Sequence, residues 1–267
     1  MSGFWNEAEA KLAEQFLRDG YVIQAADDPS SLDRIQTLIA DLAGDFLGEP
    51  PSGDCRVFLD HVHQKVTADR VNDLRLHVIQ GMNSQAWLRH AYFTTARRTI
   101  ETIVGNELCM QRRVNLSVQL PGDESSVLAS HADVWSGDSP FEVVLWIPLV
   151  DCAGTKSMFL APPAIDAEIQ ARLASHGSVE RAFSHYQDQV RFLDIPYGHV
   201  LLFNQNLMHG NRLNTTGETR WSMNCRFKSI MSPYADKKLG EFFEPITLRP
   251  ATRLGMTYRL PEGFDEE

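Results

Sequence analysis

The stretch Thr219-Arg220-Trp221-Ser222-Met223-Asn224-Cys225-Arg226-Phe227-Lys228-Ser229-Ile230 alternates strictly in its first half. Arg220, Ser222, Asn224 and Arg226 are polar, and Trp221, Met223, Cys225 and Phe227 are apolar. Successive side chains of a strand point to opposite faces, so each set lies on one face of a predicted strand. Arg113–Leu120 repeats the pattern: Asn115, Ser117 and Gln119 alternate with Val114, Leu116, Val118 and Leu120. On a half-exposed antiparallel sheet the polar set would face bulk water. The other possibility is that the apolar set packs on helices while the polar set lines a wet cavity.

Outward from these two runs, the chain beyond about Arg112 consists of short segments rich in β-branched and aromatic residues. They are Val127–Val134, Phe141–Val150, Ser157–Leu160, Val190–Ile195 and His199–Phe203. Turn signals such as Pro121-Gly122-Asp123, Gly137-Asp138 and Thr216-Gly217-Glu218 separate them. A single helical insert, Ala164 to Leu173, interrupts the series. Many short strands without repeated helical crossovers predict a mainly β fold with helical decoration, a jelly-roll or cupin-like double-stranded β-helix.

The preceding residues read as helical. Trp5 to Arg18 carries Ala8, Leu12, Phe16 and Leu17 at helical spacing and ends at Asp19-Gly20, before a short strand at Tyr21-Val22-Ile23. Ser30 or Ser31 caps a second predicted helix containing Leu32, Ile35, Leu38, Ile39 and Leu42. After an irregular stretch, Val71 to Gly105 is helical with breaks near Gly81 and Asn83. No linker intervenes, so one domain is expected over 1–267. Residues 1–110 give helical support packed on one sheet, 111–232 the jelly-roll core, and 233–267 an irregular extension.

The composition excludes several function classes. The 267 residues are 43% hydrophobic and 22% charged, which is ordinary for a globular chain. With 25 Lys and Arg against 35 Asp and Glu, the formal charge is −10, and basic residues cluster only in pairs such as Arg112-Arg113. General electrostatic binding to a nucleic acid is therefore not expected. The four cysteines, Cys55, Cys109, Cys152 and Cys225, form no Cys-x-x-Cys pair, and free thiols are the expectation. No signal peptide is evident before Glu14, and no run of about 18 apolar residues is present. A soluble, cytoplasmic protein without membrane contact is expected.

Chemistry concentrates at Ser130-His131-Ala132-Asp133 and Met208-His209-Gly210-Asn211. On a strand, His131 and Asp133 at i and i+2 point the same way. With His209 they offer two imidazoles and one carboxylate. That set leaves half a coordination sphere open and suits a non-haem Fe(II) that binds substrate and O2. A closed zinc site would need a fourth protein ligand. Taken singly, His-x-Asp reads equally as a surface pair or cap, and His209 as an ordinary hydrogen-bonded histidine. Arg220, eleven residues beyond His209, and Ser222 at i+2 suit a carboxylate, although Arg220 alone reads as a surface charge.

Together, His131-x-Asp133, His209-Gly210-Asn211, Asn214 and Arg220-x-Ser222 resemble the Fe(II)/2-oxoglutarate-dependent oxygenases, in particular the phytanoyl-CoA-dioxygenase-like branch. Phe16-Leu17-Arg18-Asp19-Gly20-Tyr21-Val22-Ile23 is similar to that branch's N-terminal element, and Trp146-Ile147-Pro148-Leu149-Val150-Asp151 to its core strand. Pro196 to His209 resembles its glycine turn and distal-histidine segment, so the resemblance spans about residues 16–230. Two positions depart: His199 stands where a small acidic residue is common, and Ala132 where glutamine is common.

The resemblance implies an oxidoreductase with Fe(II), 2-oxoglutarate and O2 as cofactors, converting 2-oxoglutarate to succinate and CO2 while oxidising a substrate C–H bond. His131, Asp133 and His209 would hold the iron. Arg220 and Ser222 would take the distal carboxylate of 2-oxoglutarate. Asn115, Ser117 and Gln119 would line the cosubstrate or substrate chamber. Trp146 would pack on the cosubstrate, or belong simply to the core. Asn224 and Arg226 would extend the polar wall, with a surface salt bridge as the other reading of Arg226. Retention of the Asp133 carboxylate favours hydroxylation over halogenation. The proposed lining favours a polar small molecule, a sugar or natural-product intermediate. A cupin-like metalloenzyme that does not use 2-oxoglutarate, or a non-catalytic binding barrel, are the competing classes. His61-Val62-His63 reads as solvent-facing or substrate-loop histidines.

Overall fold

Asn6 opens the first helix, α1 (Glu7–Asp19), with a reciprocal cap: its side chain accepts from the Glu9 N–H at 2.9 Å, and the Glu9 carboxylate accepts from the Asn6 N–H at 3.1 Å. The computed structural model describes residues 4–263, so the outermost ends of the expected domain lie outside the described residues. Helix α1 stops, as expected, at Gly20, whose φ of 77° lies in the left-handed region open to glycine. Strand β1 (Tyr21–Ala25) follows.

Helix α2 (Pro29–Leu47) is capped by Asp28, not by Ser30 or Ser31. The Asp28 carboxylate accepts from the Ser31 N–H at 3.1 Å and from both serine hydroxyls at 2.7 Å. An ionised acceptor outcompetes a hydroxyl here, and the serines become its donors. The stretch expected to be irregular contains α3 (Cys55–Asp60). Three helices then follow, α4 (Val71–Asn83), α5 (Leu88–Thr94) and α6 (Arg97–Ile103). The break at Asn83 is present. The one at Gly81 is absent, because Leu42 of α2 packs where a side chain at Gly81 would stand.

The β region starts earlier than the sequence pattern indicated, with β2 (Leu108–Gln111). Then come β3 (Asn115–Gln119), β4 (Val143–Pro148) and β5 (Phe159–Leu160). The helical insert is longer than expected and comprises α7 (Pro163–His176) and α8 (Val179–Tyr186). Strands β6 (Arg191–Phe192), β7 (His199–Asn204), β8 (His209–Gly210) and β9 (Arg220–Ser229) follow. The segment after Pro233 is not wholly irregular: β10 (Phe243–Pro245) pairs with β2, and α9 (Pro250–Thr257) comes after it.

A seven-stranded sheet has the order β1-β7-β4-β9-β2-β10, with β3 also paired to β9, and a three-stranded sheet has the order β6-β5-β8. The named pairings are antiparallel. The two sheets form an open jelly roll, not a closed barrel. Register fixes the faces. Asn115 lies opposite Asn224, Ser117 opposite Ser222, and Gln119 opposite Arg220. Trp146 and Val144 of β4 lie opposite Asn224 and Arg226. The other face carries Leu116, Val118, Trp221, Met223 and Cys225, all buried.

That apolar face packs on the helices. Trp221 Nε1 donates to the Leu59 carbonyl of α3 at 3.0 Å, Tyr92 of α5 donates to the Leu145 carbonyl at 2.7 Å, and Gln36 of α2 donates to the Leu149 carbonyl at 2.6 Å. Each large apolar side chain buried this way contributes about 1.5–3 kcal/mol. The polar face consequently looks inward, and the wet-cavity alternative is the one realised.

One expected strand is missing. Of Val127–Val134, only His131 pairs with a neighbour, through an isolated bridge to His209. Side chains claim two of the other backbone groups: the Leu128 N–H goes to Asn211 Oδ1 at 2.5 Å, and the Ser130 N–H to Glu180 Oε1 at 3.0 Å. A backbone satisfied by side chains has no need of a ladder. The chain then enters a tight 3₁₀ turn at Asp133–Ser136.

Candidate active site

The bridge between residues 131 and 209 brings the two histidines together. Their backbones exchange hydrogen bonds of 3.0 and 2.8 Å, and their ring centroids lie 4.4 Å apart. His131 Nδ1 lies 2.8 Å from the Ala129 carbonyl, and His209 Nδ1 2.8 Å from the Leu207 carbonyl. A carbonyl can only accept, so each Nδ1 carries a proton, and in the neutral ring the Nε2 lone pair is free.

Asp133 completes the group. Its Oδ1 is 3.4 Å from His131 Nε2 and 4.0 Å from His209 Nε2. One ligand atom from each residue lies within 4.8 Å of the other two. The expectation that His131 and Asp133 share a direction holds, although a tight turn, not a strand, brings this about. Burial opposes ionisation of Asp133, but the His131 hydrogen bond and the charge of Arg226 outweigh it and hold the carboxyl at about 2. Burial pushes the His209 imidazole down to about 4. His131 is drawn upward: burial favours its neutral form, but the hydrogen bond to Asp133 prevails. A carboxylate facing two imidazoles that present Nε2 lone pairs when neutral is a donor set suited to a divalent transition metal.

The open side of this triad faces a cavity of about 270 Å³. Asn115, Ser117, Trp146, Arg220, Asn224 and Arg226, singled out from the sequence, all line it. Arg220 is only 4% exposed, yet among the described residues no carboxylate pairs with it. Its Nη2 donates to Ser117 Oγ at 2.8 Å, while Nε has no partner, and the buried Ser222 Oγ has none either. Burial lowers the guanidinium to about 10. An unpaired buried cation beside a free hydroxyl is costly unless a ligand brings an anion. A carboxylate matches it in charge and in bidentate geometry. The donor set and these orphaned atoms therefore fit a metal together with an anionic ligand.

Other sequence candidates have different surroundings. Gln119 shares the inward face but is not part of the cavity wall, because its Nε2 donates to the Arg212 carbonyl at 2.7 Å. Asn115 Nδ2 donates to Asn224 Oδ1 at 2.9 Å, linking two strands across the wall. Asn214 shapes the turn before β9, accepting from the Thr216 N–H at 3.0 Å and donating to the Glu218 carbonyl at 2.8 Å. His61 and His63 lie outside the cavity wall, and their Nδ1 atoms contact the Val57 and Asp60 carbonyls of α3 at 2.8 and 3.1 Å.

Sequence reasoning missed two supports. Asn211 donates to the Ser126 carbonyl at 3.1 Å while accepting from Leu128, and so ties the limb 126–128 to β8. Its place directly after His209-Gly210 was the available signal. Arg226, left between a polar wall and a surface bridge, forms a buried bridge with Asp133 at 2.8 Å. No local pattern signals a pairing across so many residues.

No family model and no curated relative matches the sequence. Solved structures do match. The non-heme monooxygenase ThoJ in a nickel complex is 16% identical with a TM-score of 0.57, covering 94% of this chain and 89% of its own. EctD from S. alaskensis in its apoform is 18% identical with a TM-score of 0.55, covering 87% and 82%. The epimerase SnoN in complex with Fe3+, alpha ketoglutarate and nogalamycin RO is 16% identical with a TM-score of 0.51, covering 97% and 92%. Among the described residues no helix is long and apolar enough to cross a membrane. Two antiparallel sheets, helices on the outer face of the larger one and these structural likenesses together give the chain the jelly-roll fold of the non-haem iron, 2-oxoglutarate-dependent oxygenases.

Proposed function

We propose that this chain is an Fe(II)- and 2-oxoglutarate-dependent oxygenase that hydroxylates a polar small molecule, with residues 1–267 acting as one oxygenase domain. The observation that carries this reading is the convergence of His131, Asp133 and His209 on the same cavity as an unpaired, buried Arg220. The fold supports it, as does the SnoN complex, whose description names both iron and alpha ketoglutarate. The competing barrel readings give no use to Arg220 and Ser222.

When bound, iron with 2-oxoglutarate and O2 supplies the oxidation of a substrate C–H bond, with succinate and CO2 as coproducts. His131 and His209 present Nε2 lone pairs, each oriented by its Nδ1 hydrogen bond to a carbonyl. Asp133 presents one oxygen. Arg220 and the Ser222 hydroxyl hold the far carboxylate of 2-oxoglutarate, and Ser117 fixes the guanidinium. Trp146 and Phe203, both buried in the cavity wall, exclude water from the reacting centre. Asn115 and Asn224 offer amide groups to a polar substrate, consistent with a sugar or natural-product intermediate.

The test is succinate release from 2-oxoglutarate with Fe(II) under air, screened against polar metabolites and compared with the uncoupled rate. His131→Ala and Asp133→Ala should abolish iron-dependent succinate release while leaving the thermal unfolding profile cooperative. Succinate formation that persists in both variants, or a wild-type protein that neither binds 2-oxoglutarate nor releases succinate, would overturn the proposal.

A further inference from the structure

Arg226 stands on the inward face of β9, opposite Val144, and its side chain is 14% exposed. Its Nη2 lies 2.8 Å from Asp133 Oδ2 in an ion pair, and Oδ1 is the oxygen turned toward both imidazoles. The opposite edge of the guanidinium is also engaged. Arg226 Nε donates to Gln205 Oε1 at 3.0 Å and lies 3.1 Å from Asp138 Oδ1. Asp138 is almost wholly buried, and Lys237 Nζ reaches both of its oxygens at 2.6 Å. The result is a row of alternating charges: Asp133, Arg226, Asp138, Lys237.

The backbone reinforces this row at both ends. The Asp133 N–H donates to the Gln205 carbonyl at 3.1 Å, so Gln205 holds Asp133 by its main chain and Arg226 by its side chain. At the far end, the Asp236 N–H donates to the Gly137 carbonyl at 3.1 Å, and the Ser139 hydroxyl to the Pro233 carbonyl at 2.7 Å. The segment 233–238, which the sequence left without a role, is thus latched onto the loop that follows Asp133.

We propose that Arg226 is a positioning residue for the metal carboxylate, and that Lys237, acting through Asp138, holds Arg226 in place. This inference rests on the metal-binding reading of His131, Asp133 and His209. Two oxygens are available on Asp133, and the one that Arg226 occupies is removed from competition. The carboxylate therefore presents a single oxygen in a fixed rotamer. Without Arg226 the carboxylate is free to turn, and the ordering of that side chain falls on the metal-binding step. Without Lys237, Asp138 is a buried carboxylate with one cation instead of two, and it competes with Asp133 for Arg226.

The probe is Co(II), followed by isothermal titration calorimetry and by its visible d–d absorption, on the full chain without 2-oxoglutarate. Arg226→Met should weaken Co(II) binding by roughly 10- to 100-fold, the range for partners that orient a metal ligand. Arg226→Lys, which keeps the charge and loses the fork, should recover part of that loss and alter the absorption band. Lys237→Met should lose affinity in the same direction by a smaller factor. The double variant should bind no more weakly than Arg226→Met, because both changes act through one chain.

Co(II) affinity and spectrum unchanged in Arg226→Met and Lys237→Met, or losses that multiply in the double variant, would overturn the inference. Should Arg226→Met fail to fold, Lys237→Met and Asp138→Asn, both remote from the metal atoms, decide the matter by the same measurements. Wild-type protein that binds Co(II) no better than His131→Ala overturns the metal site itself and this inference with it. Tight wild-type binding with unaffected Arg226 variants overturns only the positioning role.

Discussion

Arg220→Met separates stability from cosubstrate binding, and the structure sets the sign of each effect. Burial lowers the Arg220 guanidinium to about 10. At 1.36 kcal/mol per pH unit, that displacement corresponds to a desolvation cost of about 3 kcal/mol. Nothing in the described protein repays it beyond the 2.8 Å bond to Ser117, worth about 1 kcal/mol. Methionine keeps the stem and removes the charge, so the metal-free variant should be as stable as the wild type or more stable, by up to about 2 kcal/mol. Binding moves the other way. A carboxylate gripped by two charge-assisted hydrogen bonds loses about 1.5–3 kcal/mol for each one removed. At about 1.4 kcal/mol per decade, the affinity for 2-oxoglutarate should fall by ~100-fold or more. Urea denaturation of the metal-free protein gives the first quantity. Calorimetric titration of 2-oxoglutarate into Ni(II)-loaded protein gives the second. A variant that is destabilised by several kcal/mol while binding 2-oxoglutarate within about threefold of wild type would refute the reasoning on both counts.

Two further substitutions test the frame around the site. Asp28 is held at about 2, chiefly by the hydrogen bond from the Ser31 hydroxyl. Its folded-state value lies below that of the unfolded chain, so its stabilisation is present above the unfolded value of about 3.9 and is lost as pH falls toward 2. Asp28→Ala should therefore lower the unfolding free energy from urea titration at pH 7 by about 1 kcal/mol, with the gap narrowing below about pH 4; a constant gap would disprove the ionised cap. Gly210→Ala should push on the Leu128 carbonyl and the Phe159 ring, each 3.2 Å from the added methyl group. A loss of about 1–3 kcal/mol is expected, accompanied by weaker Co(II) binding because Gly210 follows His209, a proposed metal ligand; unchanged affinity would show that the limb gives way harmlessly.

Strand β9 was legible because its alternation is long and both of its faces are decided, one by helices and one by a cavity. That alternation, read with Arg113–Leu120, was enough to place Asn115, Ser117, Arg220 and Asn224 on one wall. The helix end at Gly20 was equally legible, since it depends on one residue and its neighbours. The segment 127–134 was not. Its composition is strand-like, but Asn211 and Glu180, which are distant in sequence, take the hydrogen bonds a ladder would have used. Strand β2, buried along its whole length, carries no alternation to read. Strand β10 has three residues, too few for any period. The partner of Arg226 was hidden for a different reason: charge pairing between remote positions leaves no trace in a single sequence, so Asp133 and Arg226 could each be singled out without being joined.

The smaller sheet is built from three strands of two residues each, whereas β9 runs for ten. The proposed diacid clasp, Arg220 and Ser222, thus sits on a long girder, and the wall bearing His131 and Asp133 hangs from a few short tethers. An ion held by His131, Asp133 and His209 would rivet that wall to itself, and a diacid spanning from the ion to Arg220 would join it to the girder. Proteolytic nicking near residues 124–136 should accordingly slow on metal loading, while the girder is already in its final shape before any ion arrives.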